Sequence, residues 1–454
     1  MESETASMHS PDWTAEAGKM GDEFLARMDA AAELLDFAAA SPEREVDFEI
    51  MSFGLTGEQL KKFGKSARDL AQVLLKFVDK DPDLRPKERQ VVKLEDPTVA
   101  RVIYKLLNRV GHNGRMPSRR TVLLRSMLAH QISEFEFTLS QLIRLILVSR
   151  PELLSGNASI TLAELEGLGD VASARELVIE RKVDDIMRCS MDEWSSWFNG
   201  IGVKFKEMTD DWSTFVEIFA RRNLMIHTGG RVSEQYVRQL RDANKSPAEM
   251  PGVGDQLDLD EEYLLEASEQ LLAFGFLLIT GTWLQVNKAT ASKAEAWIST
   301  RLEQLLERQH YRAARVISNT VLSKSRGRLR RPTEISLQIM LWTARKELNE
   351  SEAVMREVTA WDPGGLDLRY SHARSVLIED DDRAVSEIKE LLRRNDLTTV
   401  DLLTSPLYRE IIDRRGQELI STKAVEALIA EQRVANALPA SVALDPGDGG
   451  QKDQ

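Results

Sequence analysis

Apolar residues recur at spacings of three and four along most of the chain, whereas the strict alternation typical of strands is scarce. A weak amphipathic run spans residues 24–37, and a short alternating stretch at residues 47–53 is compatible with a strand. Clear helical periodicity follows at residues 57–77 and 99–110. The pattern therefore predicts an all-α protein that begins with mixed, weaker signals.

The middle third carries the longest helical patterns. Apolar positions lie on one face over residues 122–148, and further helices are predicted from residues 162 and 172, around Trp194, and over 212–226, 232–240 and 263–286. Thr161 and Asp192 are candidate N-caps. The most apolar stretch, residues 271–286, is shorter than the roughly 18 residues of a membrane span and is interrupted by polar residues and glycines. We therefore expect a buried helix of a bundle, and no membrane partner.

The last third is predicted to form paired short helices. Small residues mark close crossings at Ala314, Ala353 and Ala384, 39 and 31 residues apart, which brackets the roughly 34-residue period of tetratricopeptide helix pairs. An irregular helical domain is the alternative. A linker rich in Gly, Pro and Arg at residues 111–120 marks a domain boundary. The expected domains are a flexible acidic segment (1–40), a small, mostly helical N-terminal module (41–118), a helical bundle (119–288), helical repeats (289–438) and a disordered tail (439–454).

Composition narrows the function classes. Lys and Arg total 60 and Asp and Glu total 73, so the net charge of −13 excludes a polycation that coats nucleic acid but allows a local basic groove. The single cysteine, Cys189, excludes a disulfide framework and a cysteine-based zinc site, and it fits a reducing compartment. The polar first residues lack a secretory signal, so we expect a cytoplasmic protein. No cofactor or metal motif is apparent in the sequence.

One short segment carries candidate chemistry. Arg222 and Asn223 are followed by three apolar residues and then His227, which two glycines place near a helix end. Arg supplies a charged fork for a phosphate, and His can move a proton near neutral pH. Asn223 and His227 share a helical face, while Arg222 lies about 140° round the helix from His227. Arg221 is an alternative phosphate ligand. Helix-dipole stabilisation explains Arg and His at such an end equally simply.

This segment resembles the HEPN ribonucleases, which carry an Arg, four to six residues and a His, with a polar residue after the Arg. The resemblance includes RRN-x-x-x-H-x-x-G and the following Tyr236, and it extends over residues 121–286. It implies a four- or five-helix bundle that forms a homodimer with a composite site. It also implies RNA cleavage without a metal, with the 2′-hydroxyl as nucleophile. His227 would be the general acid or base, Arg222 would stabilise the phosphate, and Asn223 would orient one of them. A related subgroup has Tyr at the position of Gly229, so regulation through that tyrosine is not expected here.

Other candidates are weaker. Glu134 and Glu136 on the long helix are candidate supporting groups for the site. They lie two residues apart and face different directions, so an ordinary solvated charge pair is the simpler explanation. His130 precedes Glu134 by one turn, and a local helix pair explains it equally well. The basic residues Arg115, Arg119 and Arg120, and a second basic stretch at residues 324–331, are candidate RNA-guiding groups or simply solvated linkers.

The sequence is compatible with two functions. The first is a regulated endoribonuclease that cuts RNA, which the resemblance links to toxins and antiphage-defence effectors, with the repeats binding a protein partner. The second is a non-catalytic adaptor that uses the bundle to dimerise and the repeats to bind a partner. In the enzyme we expect Arg222 and His227 to be exposed in a groove; in the adaptor we expect them to be buried or paired with carboxylates.

Overall fold

The protein is described by a computed structural model over residues 12–39, 96–112, 119–154, 160–324 and 329–420, together with residues 61 and 65. The described residues form helices α1 (Trp13–Ala39), α2 (Pro97–His112), α3 (Arg119–Ser149), α4 (Leu162–Leu168), α5 (Val171–Met187), α6 (Met191–Gly200), α7 (Trp212–Thr228), α8 (Glu234–Asp242), α9 (Glu261–Val286), α10 (Ala291–Glu307), α11 (Tyr311–Lys324), α12 (Arg331–Glu347), α13 (Ser351–Ala360), α14 (Leu368–Leu377), α15 (Asp381–Arg394), α16 (Thr399–Thr404) and α17 (Arg409–Leu419). Within these residues, β structure is limited to an isolated bridge between Arg231 and Gln256. The all-α prediction is confirmed.

Several helix ends follow from local chemistry. Thr161 caps α4 in a reciprocal capping box with Glu164, as the sequence predicts. The cap predicted at Asp192 is wrong: Ser190 caps α6 through the backbone N–H of Glu193, and Asp192 lies in the first turn. Both residues favour caps, and the reciprocal bond from the Ser190 backbone to Glu193 selects the earlier one.

Residues 1–40 were expected to form a flexible segment, and the structure describes residues 12–39 of it. Trp13–Ala39 forms α1, and Phe24, Met28 and Leu35 are fully buried along one face. In the first half of α1, Asp22 accepts hydrogen bonds from Trp297 and Arg301. The apolar residues are sparse, but their spacing of three, four and seven suffices for one buried stripe.

The chain divides into two compact units that are discontinuous in sequence. Unit one comprises Met1–Asp22, Ser140–Asp210 and Leu272–Gln454, and unit two comprises Glu23–Leu139 and Asp211–Leu271. The expected domain boundaries near residues 118 and 288 stay predictions. The alternating stretch at 47–53, nearly all of the helix at 57–77 and the tail from 439 lie outside the described residues.

In unit two, α7 packs against the first part of α3. Phe135 of α3 makes edge-on contacts with Phe215 and Phe219 of α7, with ring centroids 5.7 and 5.8 Å apart. On another face of α7, a buried cluster joins it to α8, and its members are Ala220, Leu224, Val232, Tyr236 and Leu240. Helix α7 is therefore held along most of its length by apolar contacts.

In unit one, residues 291–394 form three successive helix pairs. Each pair turns through three residues, and the middle one has a positive φ: 66° at Gln309, 66° at Asn349 and 62° at Glu379. Ala314 and Ala384 are fully buried, so small residues do lie in the helix packing. The turn geometry thus repeats over the three helix pairs, and the assignment to tetratricopeptide-like repeats stays a prediction.

Helix α9 is long and apolar enough to cross a membrane, and no other helix of the described ranges meets that test. Of its most apolar 18-residue window, 72% is buried within the protein. Residues 271–280 are all buried, as the sequence predicts for a core helix.

Candidate functional site

The candidate residues lie on α7, whose two ends are set by its own sequence. Asp211 caps the start by accepting the backbone N–H of Thr214. At the other end Gly229 and Gly230 have φ values of 65° and 99°, which terminates the helix as predicted. The helix extends to Thr228, two residues beyond the predicted end, so His227 occupies its last turn.

Contacts from two other segments fix the C-terminal end of α7. The carbonyl oxygen of Gly229 accepts hydrogen bonds from Arg125 Nη2 at 2.9 Å and from Gln256 Nε2 at 3.0 Å. The carbonyl oxygen of Gly230 accepts a hydrogen bond from the backbone N–H of Leu257, in the loop before α9, at 2.8 Å. A Cβ at Gly230 would lie 2.4 Å from the Leu257 carbonyl oxygen. This approach explains why the motif has a glycine three residues after His227.

Asn223 and His227 are exposed and lie one turn apart, on the same face of α7. Arg222 is half-buried, and its Nη2 donates to Glu136 of α3 at 2.9 Å. The Nε of Arg222 is buried and has no hydrogen-bond partner. One of the three residues is thus held by a carboxylate, and the other two are open to solvent.

Arg221 is part of a buried polar network centred on Glu217. Glu217 is only 7% exposed and accepts three hydrogen bonds: from Arg221 Nε at 2.6 Å, from the Tyr236 hydroxyl at 2.6 Å and from the Tyr263 hydroxyl at 2.7 Å. The Arg221 guanidinium also donates to the Asp258 carbonyl and stacks 4.6 Å from the centroid of the Tyr263 ring. The network ties α7 to α8 and to the start of α9.

The electrostatics of this network are consistent with its burial. Burial and the negative charge of Glu217 raise the pKa of both tyrosine hydroxyls, Tyr236 and Tyr263. For Arg221, burial acts to lower the pKa, but the Glu217 carboxylate and the two tyrosines together outweigh it and raise the pKa. Both tyrosines therefore stay protonated as donors, and Arg221 stays charged. Arg221 is engaged by the fold on several sides, whereas the side chain of Arg222 bonds to Glu136.

The remaining candidates are distributed around unit two. Glu134 forms an ion pair with Arg27 at 2.6 Å, while exposed His130 lies 3.9 Å from Glu134. Glu136, not Glu134, contacts the α7 motif, in agreement with the expectation that the two face different directions. Arg120 forms a two-pronged ion pair with Glu261.

The rest of the predicted basic groups are only partly described. Arg115 and the side chain of Arg119 lie outside the described residues, as do residues 325–328 of the second basic stretch. At the edges of that second stretch, Lys324 contacts Glu207, and Arg330 and Arg331 pair with Glu295 and Glu334.

Sequence reasoning missed the Glu217 network. A signal was present, since Glu217 and Arg221 are a charged pair at i and i+4 among the apolar positions of α7. Its tyrosine partners lie 19 and 46 residues from Glu217, so pattern alone does not connect them.

The described ranges contain no group of three His, Cys, Asp or Glu side chains placed to hold a metal ion. No protein-family model, no curated protein and no solved structure matches the chain.

Proposed function

We propose that this protein is an endoribonuclease of the HEPN type, with its site on α7. The observation that carries the proposal is the placement of Asn223 and His227 on one exposed face, beside Arg222 at the edge of the core. The sequence resemblance over residues 121–286 supplies the reaction class. The assignment of the bundle to that family, with C-terminal tetratricopeptide-like repeats, is part of this proposal.

The proposed reaction is transesterification within RNA. The 2′-hydroxyl loses its proton and attacks the adjacent phosphorus, and the bond from phosphorus to the 5′-oxygen breaks. The products are a 2′,3′-cyclic phosphate and a 5′-hydroxyl, and the proton removed from one oxygen is balanced by the proton given to the other. His227 moves a proton, Arg222 stabilises charge on the phosphate, and Asn223 orients one of these groups. No cofactor takes part.

We further propose a homodimer, in which one protomer's His227 accepts the proton while that of its partner donates one. DNA has no 2′-hydroxyl and is not a substrate. A free ribonuclease would damage its host, so we propose a regulated cytoplasmic toxin or antiphage-defence effector with a protein partner on the repeats. These roles rest on the resemblance.

A second function is favoured by one observation. Arg222 is paired with Glu136 at 2.9 Å, which is the arrangement expected of a non-catalytic adaptor. The two functions differ in whether the Arg222 guanidinium can bind an RNA phosphate despite its bond to Glu136. Arg has five N–H donors, and the bond to Glu136 engages one nitrogen, so the guanidinium retains donors for a phosphate.

Expression of wild type and His227→Ala side by side, followed by gel analysis of total RNA, tests the proposal. New RNA fragments in wild type alone are expected. Arg356→Ala, which removes an exposed cation from unit one, is the matched control and should cleave as wild type does. Fragments in both wild type and His227→Ala would show that His227 is not catalytic. Intact RNA in all three would fit either the adaptor or a ribonuclease whose trigger is absent.

A further inference from the structure

A cavity of about 230 Å³ lies within unit one, among α10, α12, α14 and the segment that carries α16. Its floor is apolar and buried, and includes Leu306, Ala373, Leu391 and Leu397. Half-buried Met340 and Tyr370 form part of its walls. A ligand here would bury an apolar body, since most of the energy of such a small site comes from apolar surface removed from water.

Two buried polar side chains reach the same cavity and are bonded to each other. His372 is 4% exposed; its Nδ1 lies 2.9 Å from the Leu368 carbonyl oxygen, and its Nε2 lies 2.7 Å from the Tyr408 hydroxyl. Since a carbonyl only accepts, Nδ1 carries the proton and Nε2 accepts from Tyr408. Burial lowers the pKa of His372, which keeps the ring neutral. The Tyr408 oxygen retains lone pairs that can accept a hydrogen bond from a ligand.

The rim of the cavity carries more acidic than basic side chains. Glu303, Asp396 and Asp401 line it, and among the described residues the carboxylates of Glu303 and Asp396 have no hydrogen-bond or ion-pair partner. Asp401 accepts from the backbone and hydroxyl of Thr398. The lining arginine, Arg369, is paired with Asp367 at 3.0 Å, and its charge also interacts with that of Asp396. Negative charge at the rim therefore exceeds positive charge.

The charged groups around Glu303 are also negative. Burial, and then the neighbouring carboxylates Glu307 and Asp401, raise the pKa of Glu303. A bound cation would relieve this repulsion. The rim therefore discriminates against anions, including phosphates.

We infer that this cavity binds a small organic cation, with its ammonium or guanidinium group between the rim carboxylates and its apolar body against the floor. The size of the cavity restricts the buried part to roughly one amino-acid side chain or an arylalkylamine. The Tyr370 ring offers a further cation–π contact. The inference is independent of the chemistry on α7 and goes beyond the proposed function.

Calorimetry on the full chain with phenethylamine tests this inference, with 2-phenylethanol and 3-phenylpropionate as neutral and anionic isosteres. We expect saturable binding of one amine per chain and at least tenfold weaker binding of both isosteres. A blocked tripeptide with a central lysine distinguishes the source of the cation. If the tripeptide binds more weakly than phenethylamine, the natural ligand is a small molecule. If it binds as tightly or more tightly, the natural ligand is a side chain of a partner protein. Failure of the amine to bind, or equal binding of the alcohol, would overturn the inference.

Variants locate the site. Glu303→Gln and Asp396→Asn should each weaken amine binding about fivefold, as expected for loss of one partly exposed ion pair. Glu352→Gln makes the same change at an exposed position of unit one outside the cavity and should leave binding unchanged. Met340→Trp narrows the half-buried wall and should abolish binding. Thermal unfolding of each variant verifies that it is folded, and an equal effect of Glu352→Gln and Glu303→Gln would refute the location.

Discussion

The two faces of α7 have opposite characters within a few residues. On the inner face, Glu217 accepts three hydrogen bonds, and Arg221 is engaged by a carboxylate, a carbonyl and an aromatic ring. On the outer face, Asn223 and His227 are exposed. The adjacent arginines of the motif therefore differ: one holds the helix in place, and its neighbour lies at the edge with one carboxylate partner.

This contrast teaches how a short motif can combine structure and chemistry. A helix that presents reactive groups to solvent needs a rigid attachment on its reverse side, because small displacements of catalytic groups are costly to rate. The Glu217 network supplies that attachment with buried, charge-assisted hydrogen bonds. The following predictions separate the two faces.

The largest effect is expected for Glu217→Ala. This change leaves Arg221 and two tyrosine hydroxyls without their buried partner, so the free energy of unfolding should fall by about 3–5 kcal/mol. Urea denaturation measures it. Glu234→Ala, an exposed glutamate on α8, should change stability by less than about 0.5 kcal/mol. Equal stability of the two variants would show that the inner face does not hold the helix.

Gly230→Ala should cost about 3 kcal/mol of stability. The new Cβ meets the Leu257 carbonyl oxygen at 2.4 Å and the backbone has a φ of 99°. Gly229→Ala is the matched control: its φ is also positive, but nothing lies within 4 Å of its Cβ, so about 1 kcal/mol is expected. Chemical denaturation compares them, and a smaller loss for Gly230→Ala would contradict the role of the turn.

Glu136→Gln tests the boundary between the two faces. If the proposed function holds, loss of this charge removes a competitor for Arg222, and the KM for RNA should fall about fivefold with little change in kcat. Steady-state cleavage of a labelled oligoribonucleotide measures both constants, with Glu234→Gln as the charge-matched control. An increased KM would show that Glu136 does not compete with the phosphate.

The smallest effect concerns pH. The pKa of Tyr263 is higher in the folded than in the unfolded chain. Its hydroxyl therefore contributes fully to the free energy of unfolding below the unfolded-state pKa near 10, and this contribution is lost as the pH rises above that value. Tyr263→Phe should cost about 1 kcal/mol at pH 8, and the difference from wild type should shrink at pH 10.5. Tyr104→Phe, at a residue that is 64% exposed, should show no such trend. A difference that is independent of pH would contradict the account of the inner face.

Much of the site helix follows from the sequence. The apolar period and the glycine pair place α7 to within two residues of its observed end, because both are local signals. The contacts that differentiate Arg221 from Arg222 are not local. Glu136 lies 86 residues from Arg222, and Tyr263 lies 46 residues from Glu217, so only the folded chain relates them.

The ordered N-terminal helix shows the same limit. Its few apolar residues give only a weak indication of an amphipathic helix, yet tertiary packing buries Phe24, Met28 and Leu35. The helices over residues 291–394, in contrast, follow from the local spacing of their apolar residues.

Cleavage of one defined oligoribonucleotide by purified protein tests the central claim most directly, with a fully 2′-O-methylated copy as the second substrate. Wild type should cleave only the unmodified strand and leave a 2′,3′-cyclic phosphate. His227→Ala should cleave neither while retaining wild-type unfolding behaviour, since His227 is exposed. Cleavage of the methylated strand, or full activity of His227→Ala, would contradict the proposed chemistry of the outer face.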